Sequence, residues 1–206
     1  MGGDKPLPYK KIQCSVVSKM PSSKDQIKPI EKKFGKPKEL ETSFPMNKKE
    51  FENLLDSMKD GRSSDITLII FKDRKVVVIA KPWYKKGLYR LPSGGWKPNE
   101  SFEDCAQREA YEETGLKINL QKYILRIEVT FIYKNRKAYW TSHIFTAKYI
   151  SGELKPIDKQ EIKRVKLLTI EKLLSLKERL LKQNSGGLAY RAYLTEEAIK
   201  EIGENL

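Results

Sequence analysis

At 206 residues the chain has room for one sizeable domain and little more, which excludes two large independent units. Its 39% hydrophobic and 33% charged residues, with ten Tyr, seven Phe and three Trp, exclude wholesale disorder, and no run approaches the roughly 18 apolar residues that span a bilayer. The 41 Lys and Arg against 27 Asp and Glu leave a net charge of +14, which favours anionic partners such as nucleotides, nucleic acid or polyphosphates, although a lysine-rich, heat-adapted surface gives the same balance.

The start of the chain carries Pro6, Pro8, Pro21, Pro29, Pro37 and Pro45 with little sustained periodicity, so residues 1–62 read as an N-terminal extension to a domain at 63–206. Neither a secretory leader nor a myristoylation site is expected there, since the apolar runs are short and Pro6 stands where a Ser or Thr is needed. The expected location is the cytoplasm. Within the extension, residues 12–17 suit a short strand. Asn47 followed three positions on by Glu50 forms a capping box, and Phe51, Leu54, Leu55 and Met58 make one apolar stripe, predicting a helix that Gly61 ends.

From Asp65 onward β-rich runs at 66–71 and 76–80 flank the charged turn Lys72-Asp73-Arg74-Lys75 and predict a hairpin. A helix follows at 102–114. A second hairpin is written in Ile127, Val129, Phe131 and Tyr133 alternating with polar residues, the turn Lys134-Asn135-Arg136-Lys137 and a returning strand at 139–149. Two helices, at about 170–182 and 195–202, close the chain, split by Asn184-Ser185-Gly186-Gly187. This order predicts the α/β class, a mixed sheet packed by helices.

The chemistry concentrates between Gly94 and Leu116. Ser101 can cap a helix with Asp104 answering it, and Gly115 supplies a left-handed stop. On that helix Glu109, Glu112 and Glu113 stand at i, i+3 and i+4, so three carboxylates share one face, and the single Arg108 cannot balance them. A solvated acidic face is the ordinary explanation of such a cluster. Yet the segment carries six acids against Lys97 and Arg108 inside a strongly basic chain, an arrangement suited to an anionic substrate bridged by metal to the acids. One His, His143, and two cysteines, Cys14 and Cys105, exclude a histidine-rich or thiolate zinc site, so the hard cations Mg2+ or Mn2+ are the expected cofactors. Lys81, Lys85, Lys86 and Arg90, just before the segment, are candidate phosphate contacts.

Glycine, five residues, glutamate, seven residues, then Arg-Glu-aliphatic-x-Glu-Glu-x-Gly-aliphatic resembles the signature of the Nudix hydrolases, met here by Gly94, Glu100, Arg108, Glu109, Ala110, Glu112, Glu113, Gly115 and Leu116. The resemblance covers about residues 63–182. It implies a Nudix-type α/β/α sandwich and metal-dependent hydrolysis of a diphosphate linked to another group, by water attacking phosphorus. It also implies that Glu109, Glu112 and Glu113 hold the metal, that Arg108 with Glu100 orients the helix and its glutamates, and that the backbone carbonyl of Ser93 adds a ligand. A further acid acting as base or ligand is implied in the loop after the second hairpin, where Glu161 is the first candidate and Asp158 the second.

Substrate choice depends on residues outside that signature. Tyr133 is similar to a tyrosine in members that cleave dinucleoside polyphosphates, although a tyrosine on an alternating strand ordinarily packs a core. Trp83, Trp96 and Trp140 could stack on a base. Neither a coenzyme A motif nor the extended signature of NADH-cleaving members is present. The basic cluster suits a nucleoside polyphosphate, a capped or triphosphorylated RNA 5′ end, or a pyrophosphorylated inositol. The rival from another class is a Nudix-fold module that binds nucleotide or RNA without turnover; such modules typically lose signature glutamates, and all stand here. Fold-sharing isomerases use histidine and cysteine, which are scarce. The extension suits a dimerisation or lid element, and a homodimer stays open.

Overall fold

The computed structural model describes residues 24–97 and 100–204, so the strand expected at 12–17, and Cys14, lie outside the described residues. The chain runs α1 (Lys24–Phe34), β1 (Lys38–Pro45), α2 (Lys48–Ser57), β2 (Ser64–Lys72), β3 (Lys75–Ala80), β4 (Ser93–Gly95), α3 (Phe102–Thr114), β5 (Leu116–Tyr133), β6 (Arg136–Gly152), β7 (Arg164–Leu168), α4 (Ile170–Leu174), α5 (Lys177–Leu181) and α6 (Gly186–Glu204). Seven strands form one mixed sheet in the order β1-β5-β6-β2-β3-β7, with β4 pairing β2.

Alternation along the strands sends side chains to two separate cores. Ile66, Leu68 and Ile70 of β2 join Ile27 and Ile30 of α1 and Phe102, Cys105, Ala106 and Ala110 of α3 on one face. Ile69 of β2 with Val129 and Phe131 of β5 joins Phe51 of α2, Leu173, Leu180 and the α6 residues Tyr190, Leu194 and Ala198 on the other. The result is an α/β/α sandwich. Among the described residues no helix is long and apolar enough to cross a membrane.

Both expected hairpins form. Asp73 and Arg74 take positive φ, 52° and 56°, the twist that joins β2 to β3 in a two-residue turn. The β5–β6 hairpin is far longer than the alternation alone indicated, beginning at Leu116 straight after α3. Within the extension, α2 has the expected capping box on Asn47, and Phe51 is fully buried. Two elements there went unforeseen: α1, which holds Pro29 inside it, and β1, which pairs in parallel with β5 from Lys38↔Leu125 to Pro45↔Ile132. At the other end, the helix expected at 170–182 is broken at Ser175 and Leu176, and the helix expected at 195–202 starts at Gly186. Gly186 is needed there because a Cβ would lie 1.9 Å from the carbonyl oxygen of Pro45.

One irregularity in the sheet positions the site. β2 pairs β3 only at Phe71↔Val76 and Lys72↔Lys75, then diverges, and β4 fills the gap through Asp65↔Gly95, Ile66↔Gly94 and Thr67↔Ser93. The two glycines thus lie at the sheet surface beneath α3.

Candidate active site

The start and stop of α3 are fixed locally. Ser101 Oγ accepts from Asp104 N at 3.0 Å, and Gly115, at φ 73°, donates its N–H to Tyr111 O at 2.8 Å. The helix buries Phe102, Cys105, Ala106, Glu109, Ala110, Glu113 and Thr114, so Glu109 and Glu113 ride on the docked face while Glu112 stands at its solvent flank. The three glutamates are therefore not equivalent.

Glu113 is the most enclosed. Its Oε2 accepts from Ser93 N at 2.8 Å, and its Oε1 accepts from Arg90 Nη2 at 3.3 Å and Lys81 Nζ at 3.4 Å. Burial pushes its carboxyl above the usual range, while Arg90, Lys81 and the Ser93 N–H oppose that rise. Arg90 is held in turn by Leu91 O at 3.0 Å and Ser93 Oγ at 2.5 Å. Lys81 Nζ also lies 3.1 Å from Glu161, which brings that loop acid to the site. Asp158 shapes the turn that carries it, accepting from Gln160 N and Glu161 N, each at 2.9 Å.

Arg108 and Glu100 meet as a two-pronged pair at 2.7 and 2.9 Å, which raises the arginine and lowers the carboxyl. Arg108 Nη1 also donates to Glu109 Oε1 at 2.5 Å and to Glu112 Oε2 at 3.2 Å, so two carboxylates converge on one cationic nitrogen. Glu109 reaches this place because Gly94 has no side chain: a Cβ there would lie 1.6 Å from Glu109 Cδ. Burial pushes the Glu109 carboxyl up to about 7, with Arg108 opposing and Glu113 and Glu112 adding to the rise.

These groups border a cleft of about 300 Å³. Lys81, Arg90, Ser93, Gly94, Glu109 and Glu161 line one part of it; α2, α6 and the sheet supply Leu54, Phe131, Trp140 and Tyr190 elsewhere. Ser93 is a strand residue without positive φ, so a serine sits there unstrained. Lys85 and Lys86 are exposed and do not line the cleft, and Tyr133 stands at the far end of the β5–β6 hairpin, 5.9 Å from the Phe51 ring. Of the tryptophans only Trp140 lines the cleft; Trp96 donates to Glu100 O at 2.6 Å, and Trp83 is 73% exposed.

Sequence reasoning missed Arg62, Asp65 and Arg191, which also line the cleft. Arg191 Nη2 donates to Asp65 Oδ2 at 2.9 Å and Nη1 to Thr67 Oγ1 at 3.3 Å. No spacing rule links a residue opening β2 to one on the last helix, and only the folded sheet brings them together.

The donor set is made of hard oxygens, and Arg108 already draws two carboxylates to one point, which suits a small divalent cation. Among the described residues no three acids, histidines or cysteines stand as a ready cage; Glu109 pairs with Arg108, and Glu113 with Lys81 and Arg90.

The NUDIX domain family model matches residues 61–188. The chain is 30% identical over 91 residues to the NAD-capped RNA hydrolase NudC of Vibrio parahaemolyticus, a match covering 44% of this chain and 33% of that protein. It is 32% identical over 71 residues to the putative mutator protein MutT4 of Mycobacterium tuberculosis, covering 34% of this chain and 29% of that one. The chain thus spans about a third of the length of the curated relatives it matches. A crystal structure of the MutT protein from Methanosarcina mazei is similar in fold, with a TM-score of 0.50 and 19% identity over 69% of this chain and 94% of that one. With the signature in place on α3 and the family model matching most of the chain, the protein belongs to the Nudix hydrolase family, whose members act on pyrophosphate bonds of nucleoside diphosphate derivatives.

Proposed function

We propose that the chain is a metal-dependent hydrolase that cleaves the diphosphate linkage of a nucleoside diphosphate derivative or a related polyphosphate. The observation that carries this reading is the seating of Glu109 over Gly94, where Arg108 holds it next to Glu112 at the edge of a cleft lined by Lys81 and Arg90.

Glu109, Glu112 and Glu113, with the carbonyl of Ser93, would hold Mg2+ or Mn2+. Glu113 Oε2 has a second lone pair beyond the hydrogen bond from Ser93 N, whereas Oε1 already accepts from both Arg90 and Lys81. When bound, such an ion neutralises charge on the diphosphate and lowers the pKa of water. The rest falls to the chain's own groups. Lys81 and Arg90 place positive charge beside the phosphates. Arg108, fixed by Glu100, aligns Glu109 and Glu112. Glu161, on its Asp158-shaped turn, accepts the proton of the attacking water as the new P–O bond forms and the bridging P–O bond breaks.

The names of the relatives make NAD-capped RNA a member of the substrate panel, beside ADP-ribose, dinucleoside polyphosphates and triphosphorylated RNA. The test is hydrolysis of that panel with Mg2+ and Mn2+, scored by phosphate-containing product. Turnover of any member that vanishes in Glu112→Gln supports the enzyme. Tight binding with no turnover across the panel overturns it in favour of a binding module.

A further inference from the structure

Asp65, the second residue of β2, pairs with Gly95 and is only 2% exposed. Its Oδ2 is taken by Arg191, but its Oδ1 is buried with no hydrogen-bond partner. A buried carboxylate oxygen left unpaired is costly, and the cost is recovered when a donor arrives. Asp65 pairs with Gly95 and lines the same cleft as Gly94 and Glu109.

The cleft changes character around this residue. On one side lie the acids and bases of the proposed reaction. On the other, Arg62 donates its Nε to Ser57 O at 3.1 Å and its guanidinium lies 6.0 Å from the Trp140 ring, with Phe131 and Tyr190 completing an aromatic wall. A carboxylate oxygen accepts hydrogen bonds from N–H or O–H groups. The hydrogen bonds of Arg191 go to Asp65 Oδ2 and Thr67 Oγ1, not to Oδ1.

We propose that Asp65 Oδ1 is a specificity-determining acceptor for the nucleoside portion of the substrate, taking one donor from a base amino group or a ribose hydroxyl while the aromatic wall flanks the base. This rests on the proposed function, which places the diphosphate at Glu109. Arg191 acts as a positioning residue that fixes the carboxylate.

The test is calorimetric binding of the non-hydrolysable α,β-methylene analogues of ADP and GDP to the full chain with Mg2+, beside counterparts lacking one donor: the purine riboside, inosine, 2′-deoxy and 3′-deoxy forms. One deletion should weaken binding by about 10- to 100-fold, as loss of a hydrogen bond to a buried charge does. A loss on removing the amino group assigns the base; a loss on removing a hydroxyl assigns the sugar. Asp65→Asn keeps an oxygen for Arg191 and presents an N–H2 group at the free position. It should weaken the parent by the same factor and bind the parent and that analogue alike. Binding of every analogue within about twofold of its parent overturns the proposal, as does an Asp65→Asn variant that keeps the wild-type preference. Should Asp65→Asn fail to fold, the wild-type series decides alone. No turnover is involved, so a flat series with Glu112-dependent hydrolysis intact faults Asp65 only, and a selective series without hydrolysis faults the reaction only.

Discussion

The carboxylate of Glu109 occupies the space that any side chain at Gly94 would need, with an ideal Cβ falling 1.6 Å from Glu109 Cδ. Ordinary van der Waals contact is about 3.5–4 Å, so the two cannot coexist. The obstacle is the far end of a side chain rather than backbone, and it can swing away. Gly94→Ala is therefore expected to fold, with the thermal midpoint lowered by only a few degrees, while turnover falls by about 100-fold or more. Calorimetric unfolding and initial rates read the two effects. Near-normal turnover would show that Glu109 is not required where it sits.

Glu112 and Glu113 are adjacent in sequence and should fail differently. Glu113→Gln disturbs the buried hydrogen bonds from Lys81, Arg90 and Ser93 N, so it should cost about 1–3 kcal/mol of stability, the range for leaving a buried polar group unsatisfied. Glu112 is half-exposed and meets Arg108 at 3.2 Å, so Glu112→Gln should change stability by less than about 1 kcal/mol and still abolish measurable turnover. Denaturant unfolding in chelator, paired with rates in Mg2+, separates the two. Equal stability losses would refute the distinction.

Glu161 is largely exposed yet tethered at 3.1 Å to Lys81, which in turn contacts Glu113. Glu161→Gln is expected to lower kcat by about two or more orders of magnitude with the unfolding midpoint unchanged. Asp158→Asn should instead act through the turn, mobilising Glu161 and giving a smaller loss. A Glu161→Gln enzyme with a near-normal rate would remove it from the mechanism.

The signature helix was legible to the residue because capping, carboxylate spacing and a left-handed glycine are all local: Ser101, Glu109 and Gly115 announce themselves within one segment. The alternation of Leu40, Thr42 and Phe44 in β1 is equally present, but Pro37 and Pro45 bracket it, and the strand is held by pairing with β5 nearly ninety residues away. Pro29 reads as a helix breaker, yet Ile27 and Ile30 bury on the sheet and keep α1 in place. Gly186-Gly187 reads as a loop for the same reason, whereas Gly186 lets α6 approach Pro45 O. Lys81 and Arg90 were found as a basic cluster, but their shared partner Glu113 was not, since their pairing arises only when β4 docks under α3. Phosphate contact by Lys85 rests on sequence proximity and substrate contact by Tyr133 on likeness to a family tyrosine, and the fold puts neither residue in the cleft lining.

His143, the sole histidine, lies buried on β6 with Nδ1 hydrogen-bonded to Tyr123 Oη at 2.6 Å and its ring 4.8 Å from Phe102. Burial pushes its pKa down to about 3, with Asp65 opposing and Arg126 assisting. An unfolded histidine titrates near 6.5, so between those values the unfolded chain binds a proton that the folded chain refuses. Stability from this group is therefore intact above about pH 6.5 and lost as pH falls, by up to about 1.4 kcal/mol per unit, or about 2 kcal/mol by pH 5. Glu109 acts with the opposite sign in part of the same window, because its raised carboxyl gains a proton in the folded state first. The wild-type profile alone mixes the two, and the comparison with His143→Gln isolates the histidine while leaving an acceptor for Tyr123. Denaturant unfolding of both proteins at about pH 7 and pH 5 should show the variant losing less stability on acidification by about 2 kcal/mol, whatever its stability at neutral pH. Parallel pH dependence of the two would mean that His143 is not held neutral by its burial.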